Sequence, residues 1–243
     1  MSRRVDAEGD HDSVAHLDQS PEKLSSRLGI LARAGWLSRQ PADFQAVIAR
    51  LGRWRRFKAG EILYLSGDGA DWMVGLADGI LEITFPLVSD EPVVIHRAEP
   101  GFWSGEASLL TGQTRLISVS AATDARVFVL SGPSLRHLLD REPRHWRSFY
   151  DLSLTSSLTA VTLLAESLAL SPRARVARIL LRLAQANGSV PGSQEDLARL
   201  LGMTRSSVRR ALGNLVETGA IKSGYGVLSI RDRSMLEQLV GEA

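Results

Sequence analysis

Arginine is the residue of this chain that points most clearly to a chemistry, and it clusters near the C-terminus. From Pro172 to Leu215 there are eight arginines and only two acidic residues, Glu195 and Asp196. A guanidinium group offers paired N–H donors that match phosphate oxygens and the edge of guanine. The whole chain has a net charge of only +2, so its basic character is local. Such a distribution is typical of a protein that meets a nucleic acid with one face.

Two short helices joined by a tight turn are predicted to position these arginines. Ser193 followed by Asp196 is a capping-box-like start for the first helix, and Gly202 is suited to end it. Thr204 can cap the second helix, whose apolar face consists of Val208, Ala211, Leu212 and Leu215. Its other face carries Arg205, Ser206, Arg209 and Arg210. Gly224 and Gly226, with short apolar runs on both sides, predict a β-hairpin wing directly afterwards.

The stretch SQEDLARLLGMTRSSVRRALGNLVETGAI resembles the winged helix-turn-helix of the cyclic-AMP receptor protein/FNR (Crp/Fnr) superfamily of bacterial transcription regulators. The resemblance implies that Arg205, Ser206 and Arg210 lie at base-reading positions. It implies phosphate contacts for Ser193, Gln194, Thr204 and Ser207, whereas Arg209 could reach a phosphate or a base. Two alternatives are an ordinary helical hairpin with solvated arginines and a helix-turn-helix that contacts only proteins.

Composition limits the other classes of function. A chain of 243 residues can form two domains. It has no cysteine, which excludes disulfides, thiolate zinc sites and cysteine-ligated iron–sulfur clusters. No apolar run is expected to approach the roughly 20 residues of a membrane span, and the N-terminus lacks the apolar core of a signal peptide. These features predict a cytoplasmic protein, without a membrane partner, that is not an enzyme and has no metal site.

The N-terminal half changes from a polar tail to short strands. Residues 1–24 are polar and are predicted to be disordered, and residues 25–50 have apolar groups at helical spacing. From Trp54 to about Leu130, short apolar runs alternate with glycine turns, which indicates a sandwich or jelly-roll barrel. This part resembles the effector domain of the same superfamily, so we expect a barrel domain over residues 25–142.

Residues 101–121, GFWSGEASLLTGQTRLISVSA, are similar to the phosphate-binding cassette of cyclic-nucleotide domains. The resemblance implies that an effector would be bound by Gly105, Glu106, Ser108 and Arg115. Helix N–H groups and Arg115 would bind the cyclic phosphate, and Glu106 would accept a hydrogen bond from the ribose hydroxyl. The chain departs from the pattern because Leu116 replaces a Ser or Thr, and Ser104 replaces an aromatic residue. The cassette is therefore either a cyclic-nucleotide site or a retained structural element in which Glu106 and Arg115 pair or face water. Haem ligation by His96, His137 or His145 is a less favoured alternative.

A long helix over residues 143–170 is predicted to join the two domains. Leu154, Leu158, Val161, Ala165 and Leu168 recur at spacings of three and four residues, which is a heptad seam suited to dimerisation. The superfamily dimerises through the corresponding helix. In cyclic-AMP binders the helix also offers a Thr-Ser pair to the adenine, and the matching positions here are Ala160 and Val161. The helix could alternatively pack on its own domain.

The DNA-binding domain is expected over residues 171–243, after a hinge at Ser171-Pro172. Its first helix should end at Asn187-Gly188, and a terminal helix should cover Met235 to Val240. The whole is an α+β chain: a barrel, a dimerisation helix and a winged helix-turn-helix. The protein is expected to bind palindromic double-stranded DNA as a homodimer. Its DNA binding is either switched by an effector in the barrel or constitutive, with a barrel that binds no ligand. RNA polymerase is a partner expected from the family alone. A cyclic-nucleotide-gated enzyme or channel is disfavoured by the lack of a catalytic constellation.

Overall fold

The structure, a computed structural model, describes residues 27–86, 92–185, 187–190, 193–224 and 227–241. The predicted disordered tail at 1–24 lies outside these residues. Contacts divide the chain into two compact units, Met1–Ser156 and Ser157–Ala243. The fold confirms the predicted α+β class, with antiparallel sheets in the first unit and a helix-turn-helix in the second.

Short helices open the first unit, as their apolar spacing predicts. They are a 3-10 helix at Gly29–Ala32, helix α1 at Gly35–Ser38 and helix α2 at Ala42–Leu51. Their apolar side chains enter a core that contains Trp36, Phe44 and Phe149. The Trp36 ring lies 5.8 Å from that of Phe44 and 5.7 Å from that of Phe149. The Trp36 indole N–H also donates to the carbonyl of Ser148 over 2.7 Å, so the helices at both ends of the unit share one core.

Two four-stranded antiparallel sheets form the predicted barrel. Its strands are β1 Gly52–Phe57, β2 Ile62–Tyr64, β3 Trp72–Asp78, β4 Leu81–Phe85, β5 Val93–Ala98, β6 Trp103–Ser104, β7 Ser118–Ala121 and β8 Ala125–Ser131. One sheet has the order β1-β8-β3-β6 and the other β2-β7-β4-β5. Non-consecutive neighbours in both sheets are typical of a jelly roll rather than a meander. Strand β8 sits between β1 and β3 and is mostly buried, as expected for a central strand.

Helices α3 and α4, at Glu106–Thr111 and Gly132–Arg141, complete the unit around the sheets. Helix α4 was not predicted as a separate element. It is capped by the Ser131 hydroxyl, which accepts from the N–H of Ser134, and Pro133 lies in its first turn. This Ser-Gly-Pro start is a recognisable helix signal.

The long helix begins with a 3-10 turn at Pro143–His145 and continues as α5, Trp146–Ala169. Ser148, Phe149 and Leu152 are buried near its start. Farther along, the large apolar side chains are exposed, and these are Leu154, Leu158, Val161, Leu164 and Leu168. An apolar face of this size is unusual for a surface without a partner.

By length and composition alone, Pro143–Ala169 is also apolar enough to cross a membrane. The expectation that the chain has no such stretch is wrong by this criterion. The helix contains no continuous apolar run because serines and threonines interrupt its leucines, although its average composition stays apolar. One such helix is weak support for a membrane protein, because core helices of soluble proteins meet the same test, although only 6% of its window is buried here.

The second unit contains the winged helix-turn-helix. Its elements are α6 Pro172–Leu183, β9 Ser189–Val190, α7 Gln194–Leu201, α8 Arg205–Glu217, β10 Ile221–Gly224, β11 Val227–Ile230 and α9 Arg233–Gly241. Strands β10 and β11 pair antiparallel, as the hairpin pattern predicts, although the turn at 225–226 lies outside the described residues. The partner of the terminal helix α9 is α6.

Two features of this unit differ from the prediction. Helix α6 ends at Leu183, four residues before Asn187, because Ala184 leaves the helical region at ψ 127°. The N–H of Gln185 instead donates to the carbonyl of Ser189, at the entrance to β9. Strand β9 then adds a third strand to the wing by pairing with β11. Two residues carry too little periodicity to be recognised in advance as a strand.

Candidate functional site

Local capping and a buried apolar face hold α8 in place. The Thr204 hydroxyl accepts from the N–H of Ser207 over 3.2 Å, which confirms the predicted cap. Val208, Ala211, Leu212 and Leu215 are all buried, in the core shared with α6 and α7. Gly202 adopts φ +57° between α7 and α8, a conformation that glycine takes at little cost.

The start of α7 is fixed in the same way. The N–H of Asp196 donates to the Ser193 hydroxyl over 3.1 Å, and the N–H of Ser193 donates to the Asp196 carboxylate over 2.9 Å. This is the reciprocal capping that the Ser193–Asp196 spacing predicts. Ser193 therefore has a local structural role beside the phosphate contact that the resemblance implies. Gln194 is exposed one residue later.

The outer face of α8 is open to solvent. Arg205, Ser206, Arg209 and Arg210 are all exposed, and Ser207 is half-buried. Since the opposite face of the same helix is locked in the core, these side chains are presented from a rigid element. The arrangement can supply guanidinium and hydroxyl donors to one face of a polyanion.

Arg205 is paired across the turn with Glu195, in the first turn of α7. Hydrogen bonding to Glu195, followed by its charge, raises the pKa of Arg205 above its ordinary value. The pair places the starts of α7 and α8 side by side. Glu195 has no role in the sequence-based prediction, although it lies in the sequence about two helical turns before the turn at Gly202.

Besides Arg205, at least two of the eight arginines, Arg175 and Arg178, have partners within the protein. Arg175 donates to the carbonyl of Leu201 at the end of α7, where a cation also suits the helix dipole. Arg178 bonds Glu166 over 2.9 Å. The basic surface therefore uses fewer arginines than the composition implies. Lys222 on β10 is exposed and adds a positive charge at the wing that was not predicted.

The second candidate site is the cassette of the first unit, which starts at a glycine that no other residue could replace without strain. Gly105 has φ +103° and forms the N-terminal cap of α3. A Cβ atom on Gly105 would lie 2.5 Å from Nη1 of Arg115. Backbone conformation and close packing thus both require glycine here.

The Arg115 side chain is turned into the protein and is only 2% exposed. Nη1 donates to the carbonyl of Gly105 over 3.1 Å, and Nη2 donates to the carbonyl of Trp72. The guanidinium carbon lies 4.2 Å from the centroid of the Tyr64 ring, a cation–π geometry. Nε is buried without a hydrogen-bond partner among the described residues. Burial lowers the pKa of Arg115.

Glu106 is also buried, at 4% exposure, and it turns toward α5. The Ser153 hydroxyl donates to Glu106 Oε1 over 3.3 Å. Burial raises the pKa of Glu106, and hydrogen bonds from its own backbone, Ser153 and Ser156 oppose the rise. Glu106 and Arg115 consequently neither pair with each other nor face water, which are the two structural alternatives stated from the sequence.

The departures from the cassette pattern have visible consequences. Ser104 is buried and its hydroxyl lies 2.8 Å from the Tyr64 hydroxyl, so it supports the ring on which Arg115 stacks. Leu116 is 67% exposed and presents an apolar group where cyclic-AMP binders have a hydroxyl. Ser108 is buried. Val161 on α5 is exposed and likewise lacks a hydroxyl.

The three histidines that the structure describes, His96, His137 and His145, have different surroundings. His145 is buried, bonds Glu142 over 3.1 Å and packs 5.0 Å from the Phe44 ring. His137 is exposed on α4, and the His96 ring packs 5.7 Å from Phe102. Over the part of the chain that the structure describes, no cluster of three or more His, Asp or Glu side chains could hold a metal ion.

Comparisons with protein families match both parts of the chain. Residues 174–239 match the family model of a Crp-like helix-turn-helix domain, and residues 54–142 match that of a cyclic nucleotide-binding domain. Each matched segment contains one of the two candidate sites.

Curated relatives and solved structures that resemble this chain include transcription regulators. The transcriptional regulator SdrP of Thermus thermophilus is 27% identical over 194 residues, which is 75% of this chain and 92% of SdrP. The cyclic AMP receptor protein of the same organism is 28% identical over 189 residues, 76% of this chain and 87% of the relative. A crystal structure of a CRP/FNR-family transcriptional regulator, also from Thermus thermophilus, has a TM-score of 0.62 and 25% identity, and the match covers 78% of this chain and 98% of that one.

Proposed function

Because the chain belongs to the Crp/Fnr superfamily of transcription regulators, we propose that it acts as a homodimer on a palindromic DNA site. The chain is a DNA-binding regulator of this type. The observation that carries the proposal is the outer face of α8, where Arg205, Ser206, Arg209 and Arg210 are exposed on a helix whose other face is buried.

The residue roles follow from donor chemistry. Arg205 and Arg210 are proposed to read guanine, because arginine to guanine O6 and N7 is the commonest specific contact. Ser206 stands where many members have glutamate, so the preferred site should differ from the cyclic-AMP-receptor consensus. Ser193, Gln194, Thr204 and Ser207 are proposed to contact phosphates, and Arg209 a phosphate or a base. Phosphate contacts set the register on DNA and base contacts specify the sequence.

Selection from a random duplex library tests this function. We expect the wild-type protein to enrich a palindrome with half-sites about one helical turn apart. Arg210→Ala should weaken binding to that duplex by roughly 1–3 kcal/mol and relax one base position. Its affinity for random DNA should change little. Arg233→Ala is the matched control, since it removes one positive charge from α9 in the same unit. Equal loss on selected and random DNA would contradict base reading by Arg210.

Dimerisation is proposed through α5. Its exposed apolar residues, including Leu158, Val161 and Leu168, lie at heptad positions that a second copy of the helix would cover. A two-fold dimer gives the two recognition helices that a palindrome needs.

The barrel has two candidate roles. In the first, an effector in the cassette shifts the dimer toward a state that binds DNA better. In the second, the barrel is a ligand-free scaffold and the protein binds DNA constitutively. The Arg115 contacts favour the second, because carbonyls of Gly105 and Trp72 use the donors that a cyclic phosphate would need.

Calorimetric titration with cyclic AMP separates these roles. We expect no binding at micromolar concentration, and DNA affinity unchanged by the nucleotide. Micromolar binding of cyclic AMP that also raises the affinity for the selected duplex would establish the first role instead. We further propose a cytoplasmic, non-enzymatic protein that contacts RNA polymerase, as its superfamily does.

A further inference from the structure

Glu195 and Arg205 form an ion pair across the turn between α7 and α8. Glu195 lies in the first turn of α7, and Arg205 is the first residue of α8. Their side chains remain 57% and 68% exposed. The pair therefore holds one side of the guanidinium and leaves the rest of it at the surface.

Arg205 lies at the amino end of α8, where a positive charge needs a negatively charged partner. The amino end of a helix carries partial positive charge, so an arginine at the first position of α8 is electrostatically unfavourable without a nearby anion. An arginine side chain is also flexible and loses rotamer freedom whenever it binds. The Glu195 carboxylate offsets the unfavourable charge of Arg205 and restricts the Arg205 side chain in the protein without DNA.

A guanidinium has five N–H donors in a planar fork. The contact with Glu195 uses Nη2 of Arg205, and the donors on the other side of the fork remain for a base edge. In the same arrangement, the Glu195 carboxylate would repel phosphate oxygens that approach Arg205. When no matching base compensates for this repulsion, binding to non-specific DNA is disfavoured.

We propose that Glu195 is a positioning residue that aims Arg205 at a single base pair of each half-site and thereby raises sequence discrimination. This inference rests on the proposed DNA-binding function and adds a residue from outside the recognition helix to its specificity. It differs from a simple surface ion pair, which would leave DNA binding unchanged. It also differs from simple charge repulsion, which would weaken binding to all DNA equally.

The test compares Glu195→Gln with a matched charge control. Glu237→Gln removes one negative charge from another exposed pair of the same unit, Arg233–Glu237, in which the nitrogen and oxygen are 2.9 Å apart. Each protein is used as the full chain, on the duplex that the wild type selects from a random library and on a random duplex of equal length. The measured quantity is the ratio of the two dissociation constants.

Glu195→Gln should lower this discrimination by about threefold to tenfold and should broaden the same base position that Arg205→Ala broadens. Glu237→Gln should leave the ratio unchanged. In the Arg205→Ala background, Glu195→Gln should have no further effect, whereas a folding defect would appear in both backgrounds. An unchanged ratio in Glu195→Gln, or equal gains on both duplexes, would overturn the inference while leaving the DNA-binding function intact. A wild-type protein that selects no sequence would instead remove the proposed function itself.

Discussion

The Arg115 guanidinium and the Gly105 backbone depend on each other. Nη1 of Arg115 donates to the Gly105 carbonyl over 3.1 Å, and a side chain at Gly105 would collide with the same nitrogen. The arginine that a phosphate-binding cassette would direct at a ligand is used here to hold the start of α3 against β3. This relationship makes the cassette part of the barrel's structure.

Arg115→Ala should therefore destabilise the protein. The substitution removes the guanidinium donors from the carbonyls of Gly105 and Trp72, and the Gly105 carbonyl keeps only the N–H of Leu109. This loss costs about 1–3 kcal/mol in the free energy of unfolding. Urea denaturation measures the loss. The exposed Arg53 of β1 provides the control, because Arg53→Ala should stay within about 0.5 kcal/mol of the wild type. Equal stability of the two variants would show that the guanidinium does not support the cassette.

The buried carboxyl of Glu106 should make stability depend on pH. Burial raises its pKa from the ordinary value of 4.5, so the folded protein holds this proton more tightly than the unfolded chain. The favourable contribution is complete below pH 4.5 and is lost as the pH rises through the folded pKa. Glu106→Gln keeps an acceptor for Ser153 without the charge, and should be more stable than the wild type at neutral pH by on the order of 1 kcal/mol.

Urea unfolding from pH 4 to pH 8 would show this as a difference between the two proteins that grows with pH. Other titrating groups are common to both proteins and cancel in the comparison. A difference independent of pH would mean that the carboxyl is not desolvated in solution.

The Thr204 cap should matter for both stability and DNA binding. Thr204→Ala removes the acceptor for the N–H of Ser207, at a cost of about 1 kcal/mol. Fraying the first turn of α8 also loosens Arg205, so affinity for the selected duplex should fall. Ser234→Ala is the stability control, because Ser234 is exposed on α9 of the same unit. Thermal unfolding followed by circular dichroism measures the difference, and equal melting temperatures would exclude the capping role.

A charge on the exposed apolar face of α5 should prevent dimerisation. Leu158→Glu places a carboxylate where a second helix would pack, so light scattering in detergent-free buffer should give the monomer mass of 26.5 kDa. The wild type should give twice that mass. Ser167→Glu adds the same charge on the opposite, exposed side of α5 and should remain dimeric. A wild type that is insoluble without detergent would favour the membrane-spanning alternative for this helix.

Local interactions account for what could be read in advance. Several features depend only on residues within one or two helical turns. These are the caps at Ser193 and Thr204, the end of α7 at Gly202 and the buried face of α8. Short glycine-punctuated strands and the heptad spacing are equally local patterns. Their physical causes lie in backbone conformation and in the periodicity of apolar residues, which the order of amino acids specifies directly.

The sequence by itself therefore determined the α+β class, the barrel, the helix-turn-helix and the exposed arginine face of α8. Only the tertiary structure decided that Arg115 bonds the carbonyl of Trp72, 43 positions away, that Glu106 turns toward Ser153, that Glu195 pairs with Arg205, and that β9 joins the wing. These contacts join residues that are far apart in the chain or lie on different elements. No local periodicity encodes such pairs, because each one depends on how separate elements pack and on which buried polar groups then need a partner.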